Sequence, residues 1–290
     1  MFSDYGGESS DSKYLTYCFL VCAWNQAGYF IESMARLRET HGLNTPFKEI
    51  AYKDFRYGPI KRALPEYLSL LSHTVNGLLV TLVVDKKVRT IFGPNVNQAH
   101  EFITTTLADN GFGQWKPDVA EKLLRVTHFA AYLVALLSRP GQNVMWMTDH
   151  DAIAPTADRH MDSLKLFNQL LFHYGKCSYG TVGGALPFVD RDPTLDLLSA
   201  TDVVAGSVEH YFTRRMCNTE NPSFKDEALN VLRWMSGQGI ALKKRTMIIR
   251  QTDGQLFSGG LEFKLPEPDP NTTYAPVPIR SRYFSPQSRP

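Results

Sequence analysis

A chain of 290 residues, 43% apolar and 21% charged, has the composition of an ordinary soluble globular protein and is long enough to bury a sizeable core. No apolar run reaches the roughly 20 residues a membrane span needs, and no basic segment followed by an apolar one opens the chain, so a cytoplasmic protein with no membrane partner is expected. The net charge of +2 permits an anionic partner without demanding one, and the four cysteines (Cys18, Cys22, Cys177, Cys217) lack zinc-type spacing and read as free thiols.

Residues 1–24 read as a β-hairpin. Phe2-Ser3-Asp4-Tyr5 leads into the small polar loop Gly6–Ser12, and the apolar run Tyr14–Cys22 returns. Tyr29-Phe30-Ile31 and Met34–Leu37 recur at helical spacing up to His41-Gly42. Phe47–Tyr52 reads as a short third strand with Glu49 inside it, and a helix is predicted from about Ile60 to His73. Leu78–Val84 is a continuous β-branched run and reads as a central strand buried on both faces, with Val88–Phe92 extending or pairing with it.

Residues 93–116 read as irregular apart from a short helix near Phe102–Leu107. Pro117-Asp118 then opens a long helix to about Ser138. That helix is apolar nearly all round near Phe129–Leu137 and is expected to pack centrally, and residues 93–138 look like a helical insertion. Val144–Thr148 reads as a buried strand ending at Asp149, followed by a helix over 157–173, an edge strand over Tyr179–Leu186, and helices over 195–215 and 223–236. Lys243–Arg250 and Gln255–Lys264 read as a β-hairpin about Thr252-Asp253-Gly254. Residues 265–290 form a Pro-rich tail, leaving 1–264 as one domain, and such a tail offers a means of wrapping a second subunit or a protein partner. An antiparallel start followed by alternating strands and helices indicates an α/β fold, a mixed sheet flanked by helices.

Several carboxylates stand where acids are unusual. Asp4 ends a strand, Glu49 lies in one, and Asp149 ends the run Val144–Thr148 with Asp151 two residues later, on the same face of an extended chain. Asp202 lies inside an apolar helix beside Ala205-Gly206, small residues that would let the helix lie close against a sheet. Clustered carboxylates repel one another unless protons or cations intervene. Their hard oxygens suit Mg²⁺ or Mn²⁺, and two such ions about 4 Å apart serve phosphodiester hydrolysis by activating water and stabilising the leaving oxygen.

The order of Asp4 with Gly6-Gly7, Glu49-Ile50-Ala51-Tyr52-Lys53-Asp54, the strand ending at Asp149, and Leu198-Ser199-Ala200-Thr201-Asp202-Val203-Val204-Ala205-Gly206 resembles the widespread bacterial family known as domain of unknown function 3800. Members of that family begin with an Asp-Glu-Ser-Gly strand end and carry a late helix like Leu-Gln-Leu-Ala-Asp-Leu-Ile-Ala-Gly. The likeness spans roughly residues 1–215. It implies a ribonuclease H-like fold and a nuclease site in which Asp4, Glu49, Asp149 and Asp202 hold the metals, with Asp151 as substitute or auxiliary. Tyr5-Gly6-Gly7 stands where the family has Glu-Ser-Gly. That departure leaves Glu8 as a shifted replacement, and it keeps open an inactive ribonuclease H-like module that binds nucleic acid or a protein partner, for instance in bacterial or phage defence.

Substrate binding is expected from the basic, aromatic-interleaved stretch that contains Lys53, Arg56, Lys61 and Arg62 with Tyr52, Phe55 and Tyr57, a pattern that suits nucleic acid. Arg214-Arg215 and Lys243-Lys244-Arg245 are further basic groups. His150, His160 and His210 are candidates for proton transfer, and Glu209, two turns from Asp202, for support of that acid.

Overall fold

The computed structural model describes residues 1–44, 47–184, 194–216 and 224–264, so the expected tail at 265–290 lies outside the described residues. Strands β1 (Phe2–Gly6) and β2 (Tyr14–Cys22) form the expected antiparallel hairpin, with Asp4 opposite Cys18 and Tyr5 opposite Tyr17. Helix α1 (Gly28–His41) stops at Gly42, whose φ of 68° closes the helix in the left-handed region that glycine tolerates.

The strand expected at Phe47–Tyr52 does not form. Phe47 makes only an isolated bridge to Asn44, and Tyr52–Asp54 is a 3-10 turn. The cause lies in Arg38, buried and paired with Asp196, whose Nη1 donates to the carbonyls of Leu43 and Lys48. Those bonds curl the segment back on α1, and its acceptors are spent before a neighbouring strand could use them. Helix α2 (Gly58–Thr74) follows, then β3 (Gly77–Asp85), central as expected.

Val88–Phe92 does not add to the sheet either, because Thr90 Oγ1 and the Ile91 N–H both donate to Glu121. Helix α3 (Val96–Asp109) is much longer than expected from its Asn- and Gly-rich surroundings, and Asn95 caps it by accepting from the Gln98 N–H. The remaining elements are α4 (Pro117–Leu137), β4 (Val144–Thr148), α5 (Ala157–Gly175), β5 (Val182–Gly184), α6 (Leu195–Met216), α7 (Asp226–Ser236), β6 (Leu242–Thr252) and β7 (Gln255–Leu261).

Seven strands among the described residues form one mixed sheet in the order β5-β4-β1-β2-β3-β6-β7. Strand β2 runs antiparallel to both β1 and β3, β4 runs parallel to β1 and to β5, and β6 runs parallel to β3. The C-terminal hairpin is therefore part of the main sheet. One face packs against α1, α2, α6 and α7 through Phe2, Cys18, Leu20, Leu79 and Val83. The other packs against α3, α4 and α5 through Tyr17, Phe19, Val80, Leu82 and Val84. This is an α/β fold with helices on both faces. Helix α4 covers the second face rather than lying centrally, and Tyr132, Leu136 and Leu137 on its far side are exposed. Among the described residues no helix is long and apolar enough to cross a membrane.

Candidate carboxylate site

Alternation along β1 places Asp4 on the α6 face and Tyr5 on the α4 face. Asp4 is 6% exposed, and its Oδ1 accepts from the Tyr5 N–H. The parallel pairing of Ser3 with Thr148 brings the next residue of each strand, Asp4 and Asp149, side by side, and the Asp149 N–H donates to the Ser3 carbonyl at 3.1 Å.

Helix α6 supplies Asp202 from above the same face. It lies close to the hairpin because Thr16 Oγ1 donates to the Ala205 carbonyl at 3.0 Å. A Cβ on Gly6 would come within 2.8 Å of Thr16 Oγ1, and a Cβ on Gly206 within 2.3 Å of the Tyr52 ring. The glycines are thus needed for close approach, as the sequence suggested for Ala205-Gly206. The Tyr52 N–H donates to Asp202 Oδ2 at 2.7 Å, which joins the 3-10 turn to α6 and carries Glu49, three residues earlier, to the same region.

The four acids sense one another. Burial raises the Asp4 carboxyl well above the usual range, and the charges of Asp202, Asp149 and Asp151 raise it further against the Tyr5 N–H. Burial pushes Asp202 up to about 7, helped by Glu49 and Asp149 and opposed by the Tyr52 N–H and Lys53. Glu49 is raised by burial and by Asp149 and Asp54, while Lys53 and Lys48 lower it. The charge of Asp149 raises Asp4, Glu49 and Asp202 alike. As placed, no three His, Cys, Asp or Glu side chains among the described residues stand close enough to hold one metal ion. The donor chemistry does suit a hard divalent cation: one buried carboxylate, Asp4, stands with three half-buried ones, and a cation would relieve their mutual repulsion.

Asp151 is turned elsewhere. Lys122 of α4 pairs with both Asp151 and Glu8, and its Nζ lies 4.6 Å from the Tyr5 ring centroid. Asp151 Oδ1 also accepts from the Ile153 N–H. Tyr5 OH bridges Ser3 Oγ and Thr148 Oγ1, fastening β1 to β4 from behind. Lys122 escaped the sequence reading, because it is one of several charges, with Asp118, Glu121 and Arg125, on the first half of α4. An open cavity of about 450 Å³ on this opposite face is lined by Tyr5, Tyr17, Lys86, Arg89, Lys122 and Arg125, among others. Much of its charge is already paired, Lys122 with Glu8 and Arg125 with Glu121.

Among the basic candidates, Lys53 is near enough to stabilise the ionised forms of Glu49 and Asp202. Arg56 is exposed beside Lys225, a residue the sequence reading missed, whereas Lys61 pairs with Glu227 at 2.6 Å and Arg62 is exposed on α2 with its guanidinium near Gly58. Glu209 accepts from Ser12 Oγ and Thr213 Oγ1, holding the β1–β2 loop to α6. His150 Nε2 is 2.8 Å from the Pro155 carbonyl, His160 is buried on α5, and His210 packs against Tyr52 and Phe224.

Compared with protein-family models, with curated proteins and with solved structures, the chain matches none.

Proposed function

We propose that the protein is a metal-dependent nuclease, or a related phosphodiester-cleaving enzyme, on a ribonuclease H-like fold. The observation that carries this reading is the approach of four acids from separate segments, Asp4 and Asp149 by the pairing of β1 with β4, and Asp202 and Glu49 through the bond from the Tyr52 N–H to Asp202. A buried acid with half-buried acids around it costs stability unless a cation or proton accompanies them, which points to function rather than packing. The antiparallel β1-β2-β3 start with parallel β4 and β5 supports the ribonuclease H-like reading.

Drawn closer together than they stand here, Asp4, Asp149 and Asp202, with Glu49, would hold Mg²⁺ or Mn²⁺. The bound ion supplies Lewis acidity toward the attacking water and the leaving oxygen. The Tyr52 N–H orients Asp202, the Tyr5 N–H orients Asp4, and Lys53 offsets the charge of Glu49 and Asp202. In a cleavage assay on labelled single- and double-stranded DNA and RNA, Mn²⁺ should support cutting that EDTA stops. Asp4→Asn and Asp202→Asn should each lower the rate by about 100-fold or more. Purified protein that cuts none of these substrates with Mn²⁺ or Mg²⁺ sinks the reading.

A second reading, an inactive module that binds nucleic acid or a protein partner, is favoured by Tyr5. At the position where the resembled family has its second acid, Tyr5 faces away from Asp4 and is fully engaged with Ser3, Thr148 and Lys122.

A further inference from the structure

We propose that the surface around Tyr52 is a phosphate subsite, in which Arg56, Arg214 and Lys225 grip a backbone phosphate of a nucleic-acid strand next to the carboxylates. The ligand class rests on the phosphodiester reading above, while the subsite stands on its own geometry.

Tyr52 links the two regions. Its N–H bonds Asp202, and its ring carries the Lys225 Nζ at 4.3 Å from the centroid. Arg56 comes from the segment after the 3-10 turn, Arg214 from the last turn of α6, and Lys225 from the residue before α7. Three separate segments thus bring like charges near one another: burial, then the charges of Arg56 and Arg214, make the protonated form of Lys225 less favourable, with Glu227 opposing them. Among the described residues none of the three has a salt-bridge partner. Of the acids near them, Glu227 pairs with Lys61, and Glu209 accepts from Ser12 and Thr213.

His210 adds a second observation. Its ring lies 6.2 Å from those of Tyr52 and Phe224, and its Nε2 is buried with no hydrogen-bond partner among the described residues. Burial, then the charges of Lys225 and Arg214, disfavour the protonated ring, with Glu209 opposing them, and a phosphate held by the cations would offset this crowding of positive charge. A solvated basic face would spread its charges apart. Here Lys225 lies over the ring of Tyr52, whose own backbone N–H bonds a proposed metal ligand, Asp202.

The test is binding without metal. In EDTA, fluorescence anisotropy with a labelled single-stranded oligonucleotide should show Arg214→Gln/Lys225→Gln weakened by about 10-fold or more, with the slope of log K against log salt reduced by roughly 1.4 for two lost contacts. Lys165→Gln, an exposed lysine on α5, should leave both unchanged, and matched thermal unfolding would show that the double variant is folded. Wild-type affinity and slope in the folded double variant overturn the subsite, as does wild-type protein that does not bind the oligonucleotide. Cleavage is read separately. Lost binding in the variant with no cutting by wild type would leave the subsite standing and the nuclease reading fallen.

Discussion

Asp202 shows how one side chain can carry both a structural cost and a chemical use. Its carboxyl titrates near 7 in the fold because burial disfavours the charge, with Glu49 and Asp149 adding to the effect. In an unfolded chain an aspartate titrates near about 3.9. The fold therefore prefers the protonated acid. This contribution to stability is fully present below about pH 4 and is lost as pH rises through about 7. In EDTA, Asp202→Asn should match wild type in Tm at pH 4 and exceed it at pH 8, on the order of 5 °C by calorimetry. Equal Tm values at both pH values would mean the carboxyl is not strained by its surroundings. Asp202 was legible in the sequence because a charge inside the apolar helix stretch Leu198–Gly206 is conspicuous. Lys225 was not, since its role comes from Tyr52, which is remote in sequence and adjacent only after folding.

At the scale of elements, the site depends on how closely α6 lies against the 3-10 turn and the hairpin. Gly206 marks the tightest point, where any Cβ would meet the Tyr52 ring at 2.3 Å. Gly206→Ala must push Tyr52 away, and the Asp202–Tyr52 bond with it, at a cost of roughly 1–3 kcal/mol for such overpacking. Gly259→Ala, where a new Cβ meets nothing within 4 Å, should stay within about 0.5 kcal/mol of wild type in the same urea titration. Equal effects from the two substitutions would show that Tyr52 is not packed as described. The long apolar runs of β2, β3 and β4 were readable because burial on both sides dictates their composition. The stretch Phe47–Tyr52 was not, because its backbone is captured by Arg38, which in turn is held by Asp196 from α6. Local pattern cannot reveal a competitor that arrives from another helix. The same holds for Thr90 and Ile91, which bond Glu121 of α4 instead of a strand.

For the whole molecule, the topology explains why the acids meet. The parallel pairing of β1 with β4 sets Asp4 beside Asp149, α6 crosses their face with Asp202, and the loop before the 3-10 turn brings Glu49. A divalent cation binding there would compete with protons for the same oxygens, and it would stabilise only the folded chain. Because burial raises Asp4, Glu49 and Asp202 alike, Mn²⁺ has more protons to displace at low pH and should stabilise the protein less there. The rise in Tm on adding Mn²⁺ should therefore be larger at pH 8 than at pH 5.5. A concentration about 100 times the dissociation constant would contribute roughly 2.7 kcal/mol. In Asp4→Asn and Asp202→Asn the increment should shrink at both pH values, even though these variants start from a higher Tm at pH 8 without metal. Protons, cations and substitution all relieve one repulsion, so their effects should not add. A Mn²⁺ increment that is independent of pH and survives both substitutions would place the cation elsewhere and leave the carboxylates without their proposed role.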